Sequence, residues 1–195
     1  MEEKQLSNEE SLQLINRMIY QAKGYFHESG LSGLIYGFSI LICSLLTFFR
    51  EKEMLSFPFS PFLLMTSVFF LQGWVQYKEE KNKKVKTFTD EAVDYVWLGY
   101  FLSVFVALCG NFANAGYIVV TIILLLTAFA SFLTGMITKF RYHIICGIVC
   151  MLIAAISFFM QNANIYLLLA ALAVLVWLIP GFILRAHFKK QQHGK

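Results

Sequence analysis

The chain is short of charge. Asp, Glu, Lys and Arg make up 14% of its 195 residues, against roughly 25% in a typical soluble domain. Hydrophobic residues reach 58%, so much of the surface must face something other than water, and lipid is the obvious medium. Cysteine is also sparse in any useful pattern. Cys43, Cys109, Cys146 and Cys150 all fall inside apolar runs, which excludes a disulfide framework or a zinc ribbon. The N-terminus carries Glu2, Glu3, Glu9 and Glu10 and lacks the basic-then-apolar order of a cleaved signal peptide. The first apolar run is therefore expected to stay in the protein as a signal anchor.

Asp, Glu, Lys and Arg are missing from the long apolar runs altogether. Such residues persist inside a membrane only for function, as proton relays or ion paths. Their absence argues against a transporter coupled to protons or sodium through Asp or Glu. No HExxH or GxSxG signature appears, so a membrane protease or lipase has no support. The sequence predicts no catalytic residues, no cofactor and no enzyme.

What is present is length without charge. Six segments hold no Asp, Glu, Lys or Arg: 31–49, 57–77, 96–112, 115–137, 142–160 and 165–184. Each approaches the roughly 20 helical residues that cross a 30 Å hydrocarbon core. A β-barrel would need alternating segments of about 10 residues, and runs such as Ile118–Leu126 do not alternate. The expectation is an all-α polytopic membrane protein. It divides into a cytosolic amphipathic helix (1–30), a six-helix transmembrane bundle (31–185) and a basic cytosolic tail (186–195).

The connections set the orientation, because Lys and Arg accumulate on the cytosolic side. With the N-terminus inside, 14 basic residues fall on the inner side and two, Arg50 and Lys52, on the outer. Both termini are expected in the cytosol and the protein in the inner (plasma) membrane. The links Asn111–Asn114 and Gln161–Asn164 are short and uncharged, which predicts antiparallel hairpins of spans three and four and of spans five and six. Their likeness to each other hints at a duplicated hairpin. Trp74 and Trp97 are placed at inner helix ends, where indoles favour the headgroup layer. Pro58 and Pro61 are placed in the first turn of span two. Pro180, followed by Gly181, should kink span six.

Two cytosolic elements offer surface to partners. Ser7-x-x-Glu10 reads as a capping box, and Leu12, Ile15, Ile19, Ala22 and Phe26 recur at helical steps, making an amphipathic helix over Ser7–Glu28. It lies in the headgroup layer or docks under the bundle. In the segment 78–95, Glu79 with Lys83 and Glu80 with Lys84 are four apart in the favourable order, so span two should continue as a solvated helix. Lys81, Lys83, Lys84 and Lys86 attract anionic lipid by about 1 kcal/mol each. The net charge of +4 does not imply nucleic acid, because the basic residues lie between apolar runs and no recognisable module is present.

Few residues are candidates for a site. His143, Cys146 and Cys150 share one helix face, a ligand set that Zn²⁺ or Cu⁺ accepts, with Met136 a conceivable fourth ligand. The plain alternative is two small packing cysteines and an interfacial histidine beside Arg141. Gly33 and Gly37 form a GxxxG that lets two helices approach closely, either within the chain or in a homo-oligomer. Gln72 and Pro180 could flank a solute path, or Gln72 could bond a neighbouring helix. Ser39, Ser44, Thr66, Ser67, Ser103, Thr121, Thr127, Ser131, Thr134 and Ser157 can bond back to their own helix and do not define a pore.

Three stretches carry a resemblance: Asn16–Lys23 running into Tyr36-Gly37, Val85–Asp90 before Trp97, and Ile179–Leu184. Through them the chain resembles a group of small uncharacterised six-helix integral membrane proteins of Bacteroidota-type bacteria. The resemblance covers nearly the whole chain through short motifs. It implies a bacterial inner membrane and a six-helix layout, and brings no activity. The leading expectation is a non-enzymatic regulatory, sensory or assembly component. It would act through membrane lipids and a protein partner held by the N-terminal helix or the 78–95 segment. The rival is a small transporter or channel for an uncharged or apolar solute.

Overall fold

The computed structural model describes residues 30–56, 58–82, 88–109, 116–160 and 162–193. Among these residues all regular structure is helical. The expected amphipathic helix over Ser7–Glu28 and the loop Asn111–Asn114 lie outside them. In chain order the elements are α1 (Leu31–Glu51), a 3₁₀ turn (Pro61–Leu63), α2 (Leu64–Asn82), α3 (Phe88–Cys109), α4 (Tyr117–Thr138), α5 (Arg141–Ser157) and α6 (Ile165–Ala173). A π segment (Val174–Leu178) then leads without a break into α7 (Ile179–His193).

Among the described residues four helices are long and apolar enough to cross a membrane: α1, α3, α4 and the rod Ile165–Ala186 that runs through α6 into α7. The fifth apolar helix, α5, has 17 residues. In α2 the second half carries Lys78, Glu79, Glu80 and Lys81, which lowers its mean hydropathy below that of the others. The helix does continue past Tyr77, as far as Asn82.

Two boundaries differ from the sequence-based segments for physical reasons. Helix α2 starts at Leu64 rather than Phe57, because a residue before proline is pushed out of the α region and Pro61 can enter only at the first position of the 3₁₀ turn. Pro58 stays in the connection. Helix α3 starts at Phe88, eight residues before the charge-free run, with Asp90 and Glu91 in its first turn. Their carboxylates suit the positive end of the helix dipole, so the helix includes charged residues ahead of the charge-free run.

Small residues decide which helices touch. At the end of α4, Lys139 adopts a left-handed conformation (φ 55). The Phe140 amide reaches back to the Gly135 carbonyl (3.1 Å), a C-terminal cap that reverses the chain directly into α5. The two helices then pack backbone to backbone. A β-carbon on Gly135 would sit 2.6 Å from the Ile144 amide, and one on Gly147 would sit 2.7 Å from Phe132 Cα. Contacts this close need the missing side chain. The Asn-rich link before α6 predicts that α5 and α6 pair in the same way. Instead α6 and the π segment lie mainly along α1, and α5 lies mainly along α4. The asymmetry follows from where the glycines are, since Gly37 faces Trp177 and Leu178.

The buried core joins α1, α3, α4, α5 and α6 through Tyr36, Ile40, Tyr100, Leu124, Ala128, Cys150, Ala154, Ile165, Leu172 and Ala173. Helix α3 lies at its margin. Only 11% of its membrane-length window is buried, against 39–50% for the other three.

Candidate functional site

Polar groups inside an apolar bundle are the natural place to look for chemistry, because each one costs free energy unless it is bonded. Gln72 is buried on α2, and its amide Nε2 donates to Ser32 Oγ on α1 at 2.8 Å. The Gln72 amide oxygen is buried without a partner. The residue therefore ties α2 to α1 by one half of its amide, and the other half is left as an acceptor. Cys43 makes a second tie, its thiol meeting the Pro61 carbonyl at 3.4 Å.

One turn along α1 from Ser32, Tyr36 enters an aromatic cluster. Its ring packs edge-on to Trp177 (4.7 Å) and Phe101 (5.7 Å). Trp97 lies 4.5 Å from Trp177 and 5.4 Å from Tyr100. Offset and edge-on pairs of this kind add to what burial alone contributes. Trp97 thus packs, half-buried, against the helix core, whereas Trp74 is exposed with Lys78 Nζ 5.5 Å above its ring. The cluster reaches α4 through Tyr100. Thr127 spends its proton on the Ile123 carbonyl (2.7 Å), so the Tyr100 hydroxyl donates to Thr127 Oγ1 at 3.0 Å. The indole nitrogen of Trp177 is buried with no acceptor.

His143, Cys146 and Cys150 are all buried on α5. His143 Nδ1 lies 3.2 Å from Ser131 Oγ on α4, so one ring nitrogen is engaged in joining the two helices. Phe140 and Tyr142 pack around the imidazole at 5.4 and 6.2 Å. Among the described residues no three His, Cys, Asp or Glu side chains gather as a metal group. Met136, on the neighbouring helix, is more than half exposed.

Several hydroxyls bond back to their own helix, as their positions suggest: Ser39 to Ile35, Thr47 to Cys43 and Thr138 to Thr134. Others reach across, with Ser157 Oγ 3.2 Å from Thr121 Oγ1. Gly33 and Gly37 meet their own chain, at the Trp177 carbonyl and at the Trp177 and Leu178 side chains. A groove of about 470 Å³ runs between α3 and α4, lined by Leu102, Ser103, Val106, Ala107, Ile122 and Leu126. It is open and almost wholly apolar, so it offers no polar path.

Pro180 is buried, and the expected kink takes another form. The helix changes register ahead of the proline. The Ile179 amide bonds to the Val174 carbonyl, five residues back, and the Tyr142 hydroxyl donates to the Leu175 carbonyl at 3.0 Å. Ser32, Tyr36, Tyr100 and Tyr142 were invisible as partners in the sequence. The one signal available was that tyrosine inside an apolar run needs an acceptor for its hydroxyl.

No protein-family model, no curated protein and no solved structure matches this chain.

Proposed function

We propose that the chain is a six-span protein of the bacterial inner membrane with both termini in the cytosol. It acts without catalysis, as a regulatory, sensory or assembly component that binds partners through residues 1–30 and 78–95. The observation that carries this is the use made of polar groups inside the bundle. Gln72, Tyr100, Ser131, His143, Tyr142 and Ser157 each bond another helix. Groups spent in this way hold a bundle together and do not line a route for a solute.

The two shorter helices support six crossings by length. Leu64–Tyr77 rises about 21 Å and the preceding 3₁₀ turn about 6 Å more, close to a hydrocarbon core of about 30 Å. Helix α5 rises about 26 Å over its 17 residues. The distribution of Lys and Arg supports the orientation. The thin burial of α3 leaves a face for lipid or for a second copy of the chain.

The rival reading, a small transporter or channel for an uncharged or apolar solute, draws on the Gln72 amide oxygen and the Trp177 indole, both buried without partners. Removal of residues 2–28 separates the two. The partner reading expects a chain that still inserts but no longer co-purifies with its complex. If every partner is retained after the deletion, that reading fails.

A further inference from the structure

Within the rod of α6 and α7 two hydrogen-bond registers meet, α and π. The Ile179 amide bonds to the Val174 carbonyl in the π pattern. The next rung of that pattern would run from the amide of residue 180 to the Leu175 carbonyl. Pro180 has no N–H to give. The donor comes instead from another helix, as the Tyr142 hydroxyl on α5 supplies a 3.0 Å hydrogen bond to that carbonyl.

The alternative register is readily described. In an uninterrupted α-helix the Ile179 amide would satisfy Leu175, and the proline ring would press on the Val176 carbonyl and leave it without a donor. The π turn carries one extra residue, so it sets α7 back by about 100° relative to that helix. In the observed setting Gly181 faces α1, where a β-carbon would lie 3.0 Å from Leu34 and 3.3 Å from the Gly30 carbonyl. Leu184 is buried at 6% exposure. Continuous α register would turn Pro180 into the place of Gly181, and Leu184 out of its buried position.

We infer that Tyr142 is a register latch: by bonding the Leu175 carbonyl it holds the last helix in the π setting and couples the α4–α5 hairpin to the rotation of α7. Tyr142 sits one residue into α5, beside His143 with its contact to Ser131 and next to the tight turn at Lys139 and Phe140. A partner that pulls on this turn moves the hydroxyl away from the carbonyl. The π setting then loses its advantage, and α7 is free to turn. The latch is a conformational device and does not depend on which way the chain is threaded.

The test uses the full-length protein in lipid vesicles, with Leu184→Cys as a reporter labelled by a membrane-permeant maleimide. Tyr142→Phe should speed labelling about fivefold, the population shift that loss of one net hydrogen bond allows. Cys150, fully buried on α5, should label no faster. With Pro180→Ala the residue 180 amide can supply the Leu175 carbonyl in the π register, as the Ile179 amide does in the α register, and the effect of Tyr142→Phe should vanish. Equal labelling with and without the tyrosine hydroxyl would overturn the latch. So would a parallel rise at Cys150, or an effect that persists undiminished beside Pro180→Ala.

Discussion

Gly37 on α1 and Trp177 in the π segment meet so closely that a β-carbon on the glycine would lie 2.7 Å from the tryptophan Cβ. Few contacts in the bundle are tighter, and the contact explains why α6 packs along α1 rather than along its neighbour in sequence. A side chain at this position has no room to relax, because Leu178 closes the other side at 2.9 Å. Gly37→Leu should therefore lower stability by about 1–3 kcal/mol, the usual cost of overpacking. Gly99, where a β-carbon meets nothing within 4 Å, serves as the control. Gly99→Leu should change the unfolding midpoint in the same detergent by less than about 0.5 kcal/mol equivalent.

The half-satisfied amide of Gln72 gives an ordering of two variants. Ser32→Ala removes the 2.8 Å partner and leaves the buried amide with only the long 3.5 Å contact of Nε2 to the Ser32 carbonyl, a loss of about 1–3 kcal/mol. Gln72→Leu removes the hydrogen bond together with the orphaned oxygen, and fills the space with carbon. It should cost less than Ser32→Ala. Thermal unfolding of the two variants side by side checks the order, and a larger loss for Gln72→Leu would show that the amide oxygen is satisfied after all.

Ser44 is fully buried and its hydroxyl has no partner. Ser44→Ala should raise stability by about 1 kcal/mol, because an unpaired buried hydroxyl costs more than the contacts it makes. Ser157→Ala removes a hydroxyl that bonds the Ala154 carbonyl and approaches Thr121, and should act in the opposite direction. Matching signs for the two variants would contradict this account.

Burial also ranks the four thiols. Cys109 is exposed, whereas Cys43, Cys146 and Cys150 are buried. In vesicles a small permeant maleimide should label one cysteine per chain rapidly, and the remaining three only after unfolding. Mass spectrometry of the labelled chain reads both the number and the position. Rapid labelling of Cys146 or Cys150 would mean that the α4–α5 hairpin opens.

Much of the architecture was legible in the sequence, and the misses share a cause. Helical structure was readable from uninterrupted apolar runs, since an interval without charge longer than a soluble helix face leaves few alternatives. The boundaries of α2 and α3 were not, because charge marks the edge of the hydrocarbon layer and a helix ends where its backbone ends. Asp90 and Glu91 lie inside α3 for that reason. That α6 packs mainly along α1 and less along α5 was not legible, because loop length limits which helices can meet and says little about which faces fit. Gly135 and Gly147 carry the α4–α5 contact, yet neither belongs to a GxxxG that pattern matching would find. Gly33 and Gly37 do, and the pattern could not name Trp177 as their counterpart. The Pro180 signal was correctly placed, but the local remedy, a π turn completed by Tyr142, depends on a residue 38 positions away. Long-range bonds of this kind leave no periodic trace.

The central proposal is that the chain crosses the membrane six times with both ends in the cytosol. Alkaline phosphatase, active only outside the cytosol, and a green fluorescent reporter, fluorescent only within it, can be fused in turn after Asn114 and after Gln192. The account predicts phosphatase activity with no fluorescence at Asn114, and fluorescence with no phosphatase activity at Gln192. Fluorescence at Asn114, or phosphatase activity at Gln192, would contradict it.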